Sequence, residues 1–284
     1  MAHKYSLGYL TVGDLEPSAQ VYVAAAAGYD YVGLRPIPMG LPGEPNLDIA
    51  RDPQLLARCK TALAETGLGV WDIELARVLD DVNYADYEPA IAVGADLGAH
   101  IVLTSVWTAD PVKQVEGLRS VAALAGRYGL SVVAEFVPLS TVKSLDEMAA
   151  LVRQVEAPNL GILIDVYHWQ RSGAPLDAVA ALPREWLPML HLCDCPAATP
   201  PTLDALRTEV RERRLYVGEG DAAIPELIGR LLADAVLSIE QPHLERLRVL
   251  GDTEYATRAL RHAKAVIDGE AVPAAALASA VSQS

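Results

Sequence analysis

Cysteine is scarce in this sequence. Only three cysteines occur in 284 residues. Such a small, odd number argues against a disulfide framework and predicts a reducing environment, for which the cytoplasm is the default. The three positions are Cys59, Cys193 and Cys195.

Long apolar runs are also missing. No stretch of about 18 uncharged apolar residues occurs, as a membrane-spanning helix would require. The first residues, MAHKYSLGYL, contain neither the apolar segment nor the cleavage site of a signal peptide. We therefore expect no membrane span and no secretion signal.

Positive charge is in short supply. Lysine and arginine total 23 against 37 acidic residues, for a formal net charge of −14. Binding to nucleic-acid backbones draws its affinity from lysine and arginine, so this balance argues against a nucleic-acid partner and favours a small-molecule substrate. Apolar residues make up 51% of the chain, which is enough for one large domain with a sizeable core.

Short apolar runs alternate with amphipathic helical stretches along most of the chain. The helix signals include Gly28, placed as a C-cap glycine, and Asp52 followed by Pro53, placed as an N-cap and first helical residue. Eight alternating units predict a single (β/α)8 TIM barrel over residues 1–268, with an ordered C-terminal tail over 269–284. That tail is expected to pack on the barrel or on a second subunit, so a homo-oligomer is possible. The eight runs are YSLGYL, YDYVGLR, LGVWDIEL, HIVLTSV, SVVAEF, LGILIDV, LPMLHL and AVLSIE.

The interval between the last two runs is too long for one plain βα unit. It contains the proline-rich segment CPAATPPT and the segment RRLYVGEGD, so we expect an elaborated loop that overhangs the barrel mouth.

Four of these runs end in a single acidic or imidazole side chain: Glu135, Asp165, His191 and Glu240. Parallel strands buried on both faces tolerate charge where they emerge at their C-terminal ends. Each residue alone reads equally well as a strand-end charge that reaches water. Together, three carboxylates and one imidazole predict a site for one divalent ion, Mn²⁺ or Mg²⁺ first, with Co²⁺ or Zn²⁺ possible.

The motifs VVAEF, IDVYH, LHLCD, GEGD and LSIEQPH resemble the xylose isomerase-like TIM barrels. That family includes sugar phosphate isomerase/epimerases, hydroxypyruvate isomerases, inosose and dehydroshikimate dehydratases, and endonuclease IV. The resemblance implies that Glu135, Asp165, His191 and Glu240 bind one metal ion. It also implies that Glu135 and Glu240 act as acid and base on opposite sides of the substrate, and that His168 contacts it.

The sequence departs from the ketose 3-epimerases of that family at two sugar-holding positions. A glutamate is replaced by Thr141 and an arginine by Ala197, which puts a free-ketose epimerase in doubt. Further side chains follow strand runs or precede GEGD and are predicted to line the substrate pocket. Guanidinium groups there could clamp a carboxylate or phosphate, although pairing of Glu74 with Arg35 is the preferred reading. The candidate substrate-binding residues are Arg35, Glu74, Trp107 and Arg214.

This residue set predicts proton transfer next to a carbonyl, through an enediolate. The primary prediction is a metal-dependent sugar isomerase or epimerase that acts on a small polyhydroxylated carbonyl compound. The alternative is a dehydratase of a cyclic keto compound such as dehydroshikimate or an inosose. Three other interpretations are disfavoured. The net charge argues against an apurinic endonuclease. A zinc site at Cys193 and Cys195 would leave the strand-end carboxylates without a role, and a non-catalytic barrel would have no use for two acid/base glutamates.

Overall fold

The computed structural model describes residues 3–40, 44–231 and 234–269. Eight parallel strands hydrogen-bond in sequence order, and the first pairs with the last to close the barrel. The predicted (β/α)8 TIM barrel is thereby confirmed, and each of the eight apolar runs forms one strand. The strands are β1 Tyr5–Leu7, β2 Tyr31–Leu34, β3 Gly69–Ile73, β4 Ile101–Ser105, β5 Ser131–Glu135, β6 Leu160–Asp165, β7 Met189–Leu192 and β8 Val236–Ile239.

Helices follow the strands and pack around the barrel. They are α1 Pro17–Ala27, α2 Pro53–Thr66, α3 Glu88–Asp96, α4 Pro111–Gly126, α5 Leu145–Val155, α6 Val166–Ser172, α7 Leu176–Ala180, α8 Leu203–Glu212, α9 Ile224–Ile228, α10 Leu244–Leu250 and α11 Asp252–Ile267. Short 3-10 helices span Tyr9–Thr11, Tyr84–Tyr87 and Arg184–Trp186.

The helix boundaries follow from local chemistry. Gly28 ends α1 with a positive φ of 92°, where a residue with a side chain would be strained. The Asp52 carboxylate accepts hydrogen bonds from the amides of Gln54 and Leu55, and Pro53 begins α2. Both caps are those expected from the sequence.

The inside of the barrel is divided into an apolar side and a polar side. The strand register places alternating side chains in stacked layers, as in other barrels of this type. Strands β4 to β7 contribute the apolar cluster Ile101, Leu103, Val133, Leu163 and Met189. From β8, β1, β2 and β3 the register brings Ser238, Ser6, Gly33 and Asp72 to the same two layers.

The predicted elaborated loop lies between β7 and β8 and contains α8 and α9. Asp194 ties it to the barrel, because its carboxylate accepts hydrogen bonds from the amides of Gly218 and Ala222. The backbones of Asp194 and Leu215 also form a short antiparallel bridge. This arrangement fixes the residue before Leu215, Arg214, against the end of the barrel.

Two further expectations concern cysteines and the C-terminus. Cys59, Cys193 and Cys195 are free and buried. The predicted tail lies outside the described residues except for Gly269. Among the residues that are described, no helix combines the length and apolar character needed to cross a bilayer.

Candidate metal centre

Glu135, Asp165, His191 and Glu240 converge at the C-terminal end of the barrel. Each offers one ligand atom, and these four atoms lie within 4.8 Å of one another. Asp165 ends β6 and pairs in register with His191, the penultimate residue of β7, and Glu240 directly follows β8. Within the described residues this is the one group of three or more histidine, cysteine or acidic residues with such geometry.

His191 lies at the centre of the cluster. Its Nδ1 is 3.3 Å from Glu240 Oε2 and 3.9 Å from both Asp165 Oδ2 and Glu135 Oε1. Neither ring nitrogen has a hydrogen-bond partner among the described residues, although the side chain is only 3% exposed. Burial opposes charge on the ring, but the carboxylates of Glu240, Glu135 and Asp165 raise the pKa of His191 to about 10. The protein matrix therefore favours positive charge at this point.

The carboxylates of the cluster are crowded. Burial, together with the charges of Asp165 and Glu240, raises the pKa of Glu135 well above its ordinary value. Burial also acts to raise the pKa of Glu240, but His191, Arg214 and Arg35 overcome it and hold that pKa well below the ordinary range. A divalent cation would relieve the repulsion, and Glu135 Oε1 and the His191 ring nitrogens, which have no hydrogen-bond partner within the described residues, would be available to bind it. Three carboxylates and one imidazole fit a hard or borderline divalent ion.

Asp165 is held from two sides. The amide of His168 donates to its Oδ1 at 3.1 Å, since Asp165 is the N-cap of α6. Arg214 Nη1 donates to its Oδ2 at 2.6 Å. The same nitrogen donates to the Glu240 carbonyl at 3.0 Å and lies 3.2 Å from Glu240 Oε2. Arg214 is therefore a fully buried partner of two cluster carboxylates, whereas the sequence suggested an arginine at the mouth.

Arg35 and Glu74 form a second buried ion pair beside the cluster. Their charged groups are 3.3 Å apart, and the Arg35 guanidinium lies 4.1 Å from the centre of the Tyr9 ring. The pairing preferred from the sequence is observed. It arises because the two residues follow the neighbouring strands β2 and β3, whose ends meet at the same rim.

His168 and Trp107 occupy different parts of the rim. His168 is buried, with its Nε2 3.9 Å from Glu135 Oε1, and burial lowers its pKa to about 4, so the ring is neutral near pH 7. Trp107 is half-buried, and its indole nitrogen donates to Ser105 Oγ at 2.8 Å. Contact of either residue with substrate stays a prediction.

The departures from the ketose-epimerase pattern have a local structural explanation at one position. The Thr141 hydroxyl lies 3.1 Å from the carbonyl of Val106 and 2.8 Å from that of Thr108, and so ties the loops after β4 and β5 together. The Thr141 hydroxyl therefore bonds to backbone carbonyls of this chain. Cys193 and Cys195 are buried against Tyr167 and Val210, outside the metal cluster.

Sequence reasoning missed Asp72, which lies on the polar side of the barrel interior below the cluster. The residue is 1% exposed, and its Oδ1 has no hydrogen-bond partner in the part of the chain that the structure describes. A Cβ added to Gly33 would come within 2.8 Å of Asp72 Oδ2, so the glycine makes room for this group. Burial raises the pKa of Asp72 from 3.8 to about 7. The available signal was an aspartate inside the apolar run GVWDI.

We expect Asp72→Asn to change how stability depends on pH. Because the folded-state pKa is raised, the buried carboxyl group costs nothing below pH 3.8 and becomes increasingly destabilising up to about pH 7. The full cost is on the order of 4 kcal/mol, and asparagine cannot ionise. Urea unfolding at pH 4.5 and pH 8 should show the variant gaining stability over the wild type at the higher pH. Asp204→Asn, at an exposed position, is the control. If the free energy of unfolding depends on pH in the same way for the wild type and both variants, the Asp72 carboxyl group is not the cause of the expected pH dependence.

A sequence model of the xylose isomerase-like TIM barrels matches residues 21–266. The chain belongs to this family. No curated protein matches it significantly in sequence. The resemblance inferred from the strand-end motifs is thus confirmed, and it extends over nearly the whole barrel. Family membership establishes the barrel and an enzyme-rich superfamily, while the reaction has to be argued from the site.

Several solved structures share the architecture of this chain. The IolI protein, solved with a bound zinc atom, superposes with a TM-score of 0.78 at 15% identity, covering 95% of this chain and 100% of its own. D-allulose 3-epimerase from Methylomonas sp. gives 0.67 at 17% identity, with 92% and 96% covered. The probable 3-DHS dehydratase AsbF from Bacillus anthracis gives 0.69 at 17% identity, with 90% and 97% covered. At these identities the likeness shows a common fold.

Proposed function

We propose that the protein is a metal-dependent isomerase or epimerase that acts on a small polyhydroxylated carbonyl compound through an enediolate. The observation that carries this proposal is the buried convergence of Glu135, Asp165, His191 and Glu240 within 4.8 Å. When bound by these residues, a divalent ion would polarise a carbonyl and its neighbouring hydroxyl. Mn²⁺ or Mg²⁺ is our first expectation, with Co²⁺ or Zn²⁺ as alternatives, and the zinc in IolI belongs to that alternative.

The protein's own groups supply the proton transfers. Glu240, which His191, Arg214 and Arg35 keep ionised against the effect of burial on its pKa, is the carboxylate available to accept a proton from the carbon next to the carbonyl. Glu135, whose pKa is raised by burial and by neighbouring carboxylates, is suited to hold and return one. Two carboxyl groups whose surroundings drive their pKa values apart are a common acid/base arrangement. Return to the opposite face gives epimerisation, and return to the neighbouring carbon gives isomerisation.

A dehydratase is the second candidate. Loss of a β-hydroxyl needs a proton donor near the leaving oxygen, and His168 Nε2 lies 3.9 Å from Glu135 Oε1, so the two could share that task. The probable dehydratase AsbF has the same fold. The first test of both candidates is incubation of metal-loaded protein with ketoses, hydroxypyruvate, inososes and dehydroshikimate in deuterated water. Deuterium next to the carbonyl supports carbanion chemistry in general, and the product separates isomerisation, epimerisation and dehydration.

We expect His168→Ala to separate catalysis from metal binding. Since His168 touches the cluster through Glu135 and is not among the four candidate ligands, metal content should be unchanged while turnover falls by about 10². Metal analysis and steady-state rates on the same preparation measure the two effects. His100→Ala is the matched control, because His100 is exposed and directly precedes β4 at the opposite end of the barrel. Loss of metal in His168→Ala, or an unchanged rate, would contradict the assignment.

A further inference from the structure

The buried arginines that adjoin the candidate metal centre are already paired with carboxylates. Arg35 lies 3.3 Å from Glu74, with side-chain exposures of 7% and 4%. Arg214 lies 2.6 Å from Asp165 and 3.2 Å from Glu240, with exposures of 2% or less for Arg214 and Asp165. Both guanidinium groups therefore face the protein's own anions beside the candidate metal centre.

A third arginine near the rim is occupied in the same way. Arg171 donates to Glu209 at 2.8 Å and to the carbonyl of Pro196 at 2.9 Å. Glu209 also accepts a hydrogen bond from the Tyr167 hydroxyl at 2.6 Å, which fixes the carboxylate against Arg171. The residues outside the described ranges contain no lysine or arginine, so they cannot contribute a further basic side chain.

The charges of the site are balanced without a substrate. With a divalent ion bound, which favours the ionised form of Glu135, the four carboxylates Glu74, Glu135, Asp165 and Glu240 would be matched by the ion together with Arg35 and Arg214. A phosphate or carboxylate brought into this site would be buried without a counter-charge, or would have to pull an arginine from its present partner. Either course is unfavourable for a buried charge. A neutral hydroxycarbonyl compound brings no such cost.

Resting on the proposed function, we infer that the substrate is uncharged. The site fits a ketose or a cyclic polyol ketone, and it excludes phosphate esters and carboxylates by charge. Among the candidates raised by the sequence, an inosose satisfies this condition and dehydroshikimate, which carries a carboxylate, does not. The sequence suggested that arginines at the barrel mouth bind an anionic group of the substrate. In this proposal Arg35 and Arg214 instead form ion pairs with carboxylates of the protein.

Binding of a matched pair of ligands tests this inference. Dihydroxyacetone and dihydroxyacetone phosphate share the hydroxyketone unit and differ by one phosphate. On metal-loaded wild type, titration calorimetry should show the neutral compound binding at least about tenfold more tightly, as expected for one uncompensated charge in a partly screened site. Raising the salt concentration should improve binding of the phosphate and leave that of the neutral ligand unchanged.

Glu74→Gln provides a gain-of-binding test. Removing this carboxylate leaves Arg35 without its partner, so affinity for the phosphate should rise at least about tenfold relative to the neutral compound. Glu16→Gln is the matched control, because it removes a carboxylate from an exposed pair with Arg58 and should not change the preference. Melting curves establish that both variants are folded, and the wild-type comparison stands on its own if Glu74→Gln is not.

The outcomes are distinct. Tighter binding of the phosphate by the wild type would overturn the inference and leave hydroxycarbonyl recognition, and with it the proposed function, in place. Binding of neither ligand would contradict the proposed function and the inference together. A Glu74→Gln variant that behaves like Glu16→Gln would remove the Arg35 pair as the cause of selectivity.

Discussion

Glutamine in place of Glu240 or Glu135 should reduce deuterium exchange at the carbon next to the substrate carbonyl by at least about 10². The reason is that both residues combine a buried carboxyl group with a perturbed pKa at the same cluster, lowered for Glu240 and raised for Glu135. Glutamine keeps the shape of the side chain and an oxygen ligand but cannot accept or release the proton. The measurement is exchange on an accepted substrate by wild type and each variant in deuterated water.

The comparison requires equal metal occupancy, because each substitution also removes a ligand charge. Metal should therefore be present in excess and its content measured in every sample. The control is Glu245→Gln, because Glu245 is exposed and changes the charge close to Glu240 in sequence without touching the cluster. The neighbouring Gln241 is unsuitable for a control, because it is buried and donates a hydrogen bond to the Tyr255 hydroxyl. Exchange at the wild-type rate in metal-saturated Glu135→Gln would demote Glu135 to a ligand. Absence of exchange in the wild type on every accepted substrate would contradict enediolate chemistry.

Removing the metal should lower the melting temperature by roughly 10 °C. A ligand present at about 1,000 times its Kd stabilises the folded state by about 4 kcal/mol, and each kcal/mol shifts the melting temperature of a domain of this size by about 2–4 °C. Physically, the crowded carboxylates of Glu135, Asp165 and Glu240 lose their counter-ion and repel one another. Scanning calorimetry with added ion, and again after exhaustive chelation, measures the difference.

Asp165→Asn makes this prediction specific to the cluster. The variant lacks a ligand charge, so its melting temperature should respond much less to chelation than that of the wild type. Asp204→Asn, at an exposed position, should respond as the wild type does. A wild-type protein whose melting temperature does not change on chelation, although metal is shown to leave, would argue that the four side chains are stable without an ion.

The barrel and its cluster could be predicted from sequence because both follow from a local rule. Parallel strands covered on both faces read as continuous apolar runs, and a charge survives only where the strand emerges. Glu135, Asp165, His191 and Glu240 stand at four such points, and closure of the barrel brings those points together. The pairing of Arg35 with Glu74 was accessible for the same reason.

The position of Arg214 could not be predicted in this way. It lies in the long interval between β7 and β8, where no periodic pattern fixes the path of the chain. Its position depends on the hydrogen bonds of Asp194 to Gly218 and Ala222, which join residues far apart in sequence. Asp72 was missed because an aspartate inside an apolar run contradicts the strand pattern, and the space that Gly33 leaves for it appears only when β2 and β3 are paired.

The most direct test of the account is to locate the metal. Elemental analysis of purified protein, followed by anomalous diffraction from crystals grown with Mn²⁺, gives both the amount and the position of the ion. We predict about one ion per chain, with the anomalous peak bounded by Glu135, Asp165, His191 and Glu240. No bound ion under saturating Mn²⁺, or a peak elsewhere such as beside Cys193 and Cys195, would contradict it.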